Sequence, residues 1–558
     1  MTRMTGARAL AEMLSAYGVT DIFMVPAVLR RTMAELELHT SIRRIHAHGE
    51  KAAAYMADGY ARVAGRPGVC MAQVVGAMNL AAGLRDAYLA HSPVIALTGG
   101  RDPATKFRKV YQEIDDVPSF EAVTKFNATV DDVARIPDML RQAFRVSVSG
   151  VPGPVHLQFR GNEGQLDQEE ADLDPDVSGL PSAIPPYRPR PSEGDVRRLV
   201  ERLQAAARPV IVAGGGVRAS GAGAALVALA EALSIPVATS LNGKDAIAGT
   251  HPLSIGVCGT YSRGSANRAL LEADLVCFIG SETGSMTTHF WRLPAKDAAV
   301  LQIDIEAENL GRNYRLDAAL LSDARVALEL MLACADRSTA PRRGTWLARV
   351  RELAAQWRDE MRPLLSSDAM PIRPERICSE LSRHAPEDAI MVVDTGHAGM
   401  WMGGMYDLRS NRQSYLRSAG HLGWAFPAAL GAKCAAPDRP VICFTGDAGF
   451  WYHVAEIETA LRWGINAVIV VNNNGGGNQS KRGFDRVYGG QQTEQGRALW
   501  TFRPTDFAGL AEAIGARGIR VEKAADFQSA LASALATPRL TVIDVVTDIE
   551  ALAPSAVA

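Results

Sequence analysis

"VICFTGDAGFWYHVAEIETALRWGINAVIVVNNNGGG", residues 441–477, decides the fold. "VICFT" has the composition of a buried strand, and Gly446-Asp447 marks its end. "FWYHVAEIETALRW" follows, with Phe450, Val454, Ile457 and Leu461 on one helical face, and Gly464 ends that helix. "AVIVV" (467–471) is a second strand that runs into three asparagines and three glycines. A right-handed crossover makes the two strands parallel and neighbours or near neighbours. Asp447 and the asparagines then leave the sheet on one rim, a place where open α/β sheets bind ligands. Taken singly, Asp447 reads as a helix cap and the asparagines as a turn. Taken together they supply a carboxylate, an amide oxygen and free backbone amides beside a helix N-terminus. Those are the parts needed for Mg²⁺ on a diphosphate, because Mg²⁺ prefers a few protein oxygens plus phosphate oxygens.

The same βαβ grammar runs through all 558 residues. "PVIALTGG" (93–100), "RPVIVAGGG" (208–216) and "RPVICFTGD" (439–447) are nearly one strand written three times, as three related units would leave it. Two stretches read as linkers: 162–195, acidic and then proline-rich, and the region around 335–344. Composition is that of an ordinary globular chain, 47% hydrophobic and 22% charged, with a net charge of −2. Nothing in that balance calls for nucleic acid or an anionic membrane. No apolar run reaches the ~20 residues of a membrane span. The start has helical periodicity without a signal core, and the seven scattered cysteines form no CxxC pair. The expectation is a cytoplasmic protein with buried free thiols.

These residues resemble the thiamine diphosphate enzymes of the acetohydroxyacid (acetolactate) synthase and 2-oxoacid decarboxylase group, whose signature is GDG, roughly 25 residues, then NN. Here Gly446-Asp447-Ala448 opens the motif and Asn473-Asn474 closes it. The resemblance implies that Asp447, Asn474 and the Gly476 carbonyl hold Mg²⁺, with Ala448 and Gly449 offering backbone to the cofactor. "IHAHGEKAAAYMADGYARVAGRPGV" is similar to the segment whose acid faces the cofactor's aminopyrimidine ring, which implicates Glu50 as the catalytic carboxylate. Read alone, Glu50 is an acid in a helix's first turn. "VVGAMN" puts Asn79 in the family's asparagine position, "DTGHAGMW" implicates His397 and Ala398 at the diphosphate, and "SAGHLGWAFP" implicates His421 and the cofactor-propping Leu422. Gln112, in "VYQEIDD", is a substrate-side candidate.

The resemblance implies an α/β protein of three doubly wound parallel-sheet domains: pyrimidine-binding (1–165), central Rossmann-like (190–335) and diphosphate-binding (360–558). It also implies a homodimer or a dimer of dimers (a homotetramer), with each site completed by Glu50 of one subunit and Asp447 of another. On the substrate side the chain departs from the pattern. "GGGNQSKRGF" lacks the synthases' Met and Trp, Ser480 stands where pyruvate-type decarboxylases carry glutamate, and "VPAVLRR" replaces the glycines after Val-Pro, making Val28 part of a reshaped entrance. "IGSETGS" (279–285) lacks the arginine of FAD-binding relatives, so a structural central domain is favoured over one holding FAD or ADP. The expected activity is decarboxylation of a 2-oxo acid followed by ligation to a second carbonyl. A benzoylformate-type decarboxylase and a 2-hydroxyacyl-CoA lyase are the alternatives. An NAD-binding oxidoreductase is disfavoured by the glycine spacing.

Overall fold

The computed structural model describes residues 1–554. Its frame is three six-stranded sheets, each with its strands parallel throughout. The first runs Arg43–His46, Asp21–Met24, Gly68–Ala72, Val94–Gly99, Val155–Phe159, Phe126–Val130. The third runs Ser414–Arg417, Ile390–Val393, Val441–Gly446, Val468–Asn473, Thr541–Val546, Arg517–Val521. Counted along their own chain segments, both have the order 2-1-3-4-6-5. The central sheet has the order 3-2-1-4-5-6, starting from Ser254–Val257 and ending at Ala318–Leu321. Strands buried on both faces read as nearly continuous apolar runs, as "VICFT" does.

The opening stretch folds largely as read. Val441–Gly446 pairs directly with Val468–Asn473, and Gly446 lies opposite Asn472. The single crossover helix is corrected: the chain makes two short helices, Asp447–Trp451 and Glu456–Arg462. Between them the amides of His453, Glu456 and Ile457 bond three residues back, where a Cβ on Gly423 would meet Tyr452 and His453 at 2.8 and 3.2 Å. The near-identical strands are also corrected. They occupy the fourth, first and third places in their domains, so their likeness reflects a shared buried environment, not an equivalent position. The first linker contains a strand, Glu170–Leu173, which pairs antiparallel with Thr2–Thr5 and ties the chain's start to the end of the first unit.

The first and third units dock through helices Glu50–Ala64 and Ala425–Ala435. Their backbones nearly touch. A Cβ on Gly59 would sit 2.0 Å from the Ala428 carbonyl oxygen, and one on Gly431 would sit 1.8 Å from that of Met56. Glycine at both positions permits the approach, and one apolar core runs through both units across it. Among the described residues no helix is long and apolar enough to cross a membrane. Six of the cysteines are buried, Cys334 is exposed, and all seven are free.

Candidate active site

The rim of the third sheet brings Asp447 and the glycine turn together. Asp447 begins its helix and is 3% exposed. Its Oδ2 accepts from the amides of Asn474, Gly475 and Gly476 at 3.1, 2.7 and 3.1 Å, and its Oδ1 accepts from Ala448 at 2.6 Å. Asn474 Oδ1 lies on the same turn, 3.2 Å from the Gly476 amide. Burial pushes the Asp447 carboxyl up to about 6 against these four amides, and no neighbouring cation is among the causes. A buried carboxylate with no cation beside it among the described residues, set beside the Asn474 amide oxygen, supplies oxygen donors of the kind that fit Mg²⁺. Among the described residues no cluster of three acids, histidines or cysteines competes for this role. Asn473 is engaged elsewhere: its amide donates to Asp544 and to the Thr505 carbonyl.

Two helix N-termini, those of Gly396–Met405 and Asn478–Val487, meet at this rim. His397 is buried and its Nδ1 is bound to Asn478 Oδ1. The Asn478 amide donates to the Ile549 and Ala551 carbonyls, so its oxygen is fixed as the acceptor and the imidazole carries its proton on Nδ1. His397 Nε2 has no partner among the described residues, and burial lowers the ring to about 4. Ala398 follows it, also buried. Asp394, at the end of strand Ile390–Val393, was not singled out in the sequence. It accepts from the amides of Thr395 and Gly423 and from the Thr445 hydroxyl, and burial raises it to about 6. It also explains Gly449, where a Cβ would lie 2.5 Å from Asp394 Oδ2. Leu422 protrudes, 38% exposed, and His421 Nδ1 meets the Tyr55 hydroxyl at 2.6 Å, so His421 faces the first unit.

On the first sheet's rim, Glu50 opens helix Glu50–Ala64 and accepts at 3.2 Å from Asn79 Nδ2, near the start of helix Ala77–Leu89. Gly76 is there for clearance, since a Cβ would fall 2.3 Å from Glu50 Oε1. Gln112 reaches the same rim and accepts from Gln73 at 3.2 Å. Val28 does not line an entrance within the chain. It is fully buried in the first unit's core, and the flanking Ala27 and Leu29 hold the positive φ values (88° and 44°) that glycines would otherwise take. Ser480 is exposed in the first turn of helix Asn478–Val487. Within one chain the Glu50 and Asp447 carboxylates share no hydrogen-bond partner; His48, two residues before Glu50, meets Glu456 and Glu458 instead.

A cavity of about 780 Å³ lies elsewhere, at the central sheet's switch point, with Gly215, Gly216, Arg218 and Asp304 in its wall. Asp304 Oδ1 accepts there from the Glu306 amide and the Asn309 side chain.

Two paired sheets of one topology, one rim carrying a half-buried acid paired with an exposed amide and the other an oxygen cradle, define a cofactor enzyme divided between two domains. The chain belongs to the thiamine pyrophosphate enzymes: family models match residues 4–119 (N-terminal TPP binding domain), 196–331 (central domain) and 394–545 (C-terminal TPP binding domain). It is 32% identical to a probable acetolactate synthase large subunit of Methanocaldococcus jannaschii, over 98% of this chain and 92% of that protein. It is 30% identical to the acetolactate synthase isozyme 3 large subunit of Escherichia coli (strain K12), over 98% and 96%. Glyoxylate carboligase of Escherichia coli O157:H7 is 31% identical, over 96% and 91%. The protein is thus an acetolactate synthase-like, thiamine diphosphate-dependent enzyme.

Proposed function

We propose that this enzyme is a Mg²⁺-assisted carboligase that decarboxylates a 2-oxo acid and joins the remaining fragment to a second carbonyl compound. The observation that carries the reading is the Asp447–Asn474–Gly476 cradle, read with relatives named acetolactate synthase and glyoxylate carboligase. Bound thiamine diphosphate supplies the electron sink for cleavage beside a carbonyl. The chain's residues hold, orient and manage protons. Asp447, Asn474 and the Gly476 carbonyl would hold Mg²⁺, while the helix starts at Gly449 and at His397–Ala398 would receive diphosphate oxygens. The Ala448 amide is taken by Asp447 Oδ1 at 2.6 Å and would serve the cofactor by backbone position alone. Glu50 takes and returns a proton at the aminopyrimidine ring, with Asn79 keeping its carboxylate in place. Leu422 gives the cofactor an apolar rest. Gln112 and Ser480 face the substrate side. Glu50 and Asp447 lie on separate rims, and, as the resemblance implies, the complete site would form between two subunits, with Glu50 from one and Asp447 from the other.

The central cavity favours a second ligand. Its size, its glycine wall and Asp304 at a strand end suit a nucleotide such as FAD or ADP, contrary to the preference drawn from sequence. The absorbance spectrum of the supernatant from denatured protein separates a flavin, an adenine nucleotide and nothing.

The reaction is tested by CO2 release from a panel of 2-oxo acids, on protein stripped of cofactor and restored with thiamine diphosphate and Mg²⁺. Restored release with a ligated product is expected. Release with aldehyde alone moves the assignment to a decarboxylase, and no release from any acid overturns it in favour of hydroxyacyl-CoA cleavage.

A further inference from the structure

The segment that carries Leu422 is held mainly by the first unit of the same chain. Asp86 lies on helix Ala77–Leu89 and is fully buried. Its Oδ1 accepts from the Ser418 hydroxyl and the amides of Gly420 and His421, each at 3.1 Å. Its Oδ2 accepts from the Ala419 amide at 2.9 Å and from Arg62 at 3.3 Å. Arg62 in turn grips Asp58 through two nitrogens and donates to the Arg417 carbonyl at 2.7 Å. Asp58 accepts from the Trp424 indole at 2.9 Å, and Tyr55 meets His421. Asp394 takes the Gly423 amide from the other side. Leu422 alone, between 417 and 424, lies outside this set of contacts.

We propose that Asp86 is a positioning residue that sets Leu422 of its own chain for the cofactor, and that the two helices behind it span both active sites of a dimer. The inference rests on the shared-site reading above. Glu50 and Asn79 stand at the N-terminal ends of helices Glu50–Ala64 and Ala77–Leu89, whereas Asp58 and Asp86 lie eight and seven residues further on. At 1.5 Å per residue the separation is about 10–12 Å. One end of each helix therefore serves the site completed by the partner subunit's third domain, and the other end clamps the third domain of the same chain. A purely structural ion pair would be complete with Arg62 and Asp58. Asp86 instead turns both oxygens toward consecutive backbone amides of one loop, an arrangement that fixes the loop's shape.

Mixed dimers of full-length chains test this, read by C2 proton exchange of bound thiamine diphosphate. A dimer of one E50Q chain and one D447A chain keeps one whole site if sites are shared, so about half of wild-type exchange is expected. A dimer of one E50Q chain and one D86N chain should also keep one whole site, because the damage from Asp86→Asn falls on the site already disabled by Glu50→Gln. Near-zero exchange in this second dimer, with half in the first, overturns the proposal. Near-zero exchange in both overturns the shared-site reading, and the two-site role of the helices with it. A cofactor-free measurement separates positioning from general loosening: in D86N, amide hydrogen exchange should accelerate about tenfold or more over 417–424 and stay unchanged around Glu50 and Asn79. Tyr55→Phe removes one clamp bond without stranding a charge and serves if D86N does not fold. It should accelerate the same segment about fivefold, and unchanged exchange there refutes the clamp.

Discussion

The first and third units are built on one sheet order, 2-1-3-4-6-5, yet their rims do opposite work. The first rim is open. Glu50 and Asn79 meet beside exposed Val75 and Met78, and Gln112 arrives on a segment with Phe107 and Tyr111 almost fully exposed. The third rim is closed. Asp447, Asp394 and His397 are buried, each pushed by burial toward its neutral form, and the amides around them are committed to two carboxylates. The difference teaches that topology only delivers strand ends to a rim. The residues after each strand decide whether the rim becomes a preformed cradle or a surface that awaits a partner. A cradle for a metal and diphosphate must be rigid before the ligand arrives, because its oxygens have to be aimed. A proton-handling carboxylate can stay partly open until the second rim covers it.

The largest effect should come from the cradle. Asp447→Ala removes both the proposed metal ligand and the acceptor of the 474–476 amides, so Mg²⁺-dependent retention of thiamine diphosphate should fall on the order of a hundredfold or more. Equilibrium dialysis with and without Mg²⁺ reads this, and tight binding in that variant would erase the contrast between the rims. Acidification should act in the same direction. The Asp447 carboxyl, raised to about 6, is ionised above that pH and protonated below it. A metal needs the ionised form, so affinity for Mg²⁺ and cofactor should fall about tenfold per pH unit below 6 and level off above it. A flat profile between pH 5 and 7.5 would contradict the assignment. Gly449→Ala should be milder. The new Cβ presses on Asp394 and Thr445, costing about 1–3 kcal/mol and lowering cofactor affinity by roughly tenfold, with substrate preference unchanged. An equal loss on both would show that the closed rim also shapes the substrate side.

Much of this is legible in the amino-acid sequence. Apolar runs ending in Gly-Asp and in Asn-Gly announced the parallel strands and the shared rim of Asp447 and Asn474, because strand period and glycine turns are local properties. Glu50 and Asn79 were each legible by resemblance, and the structure places them in contact. What stayed hidden depends on long-range packing. Asp394 lay in plain view in "DTGHAGMW", but its role as acceptor for Gly423 comes from the fold of a loop 29 residues away. Asp86 reads as one more charge on a helix until a loop 333 residues away closes on it. The break in the crossover helix at Tyr452–Ala455 likewise follows from Gly423 passing over it. Val28's burial was not legible either, because it follows from Ala27 and Leu29 keeping the left-handed backbone that glycines would otherwise take.

The central claim is that the open rim moves the proton and the closed rim holds the cofactor. Its most direct test is Glu50→Gln, measured two ways on one sample: thiamine diphosphate affinity in the presence of Mg²⁺, and the rate of C2 proton exchange in the bound cofactor. Affinity within a fewfold of wild type, with exchange slowed by about 10²–10⁴, is the predicted result. Unchanged exchange with intact binding would contradict the account.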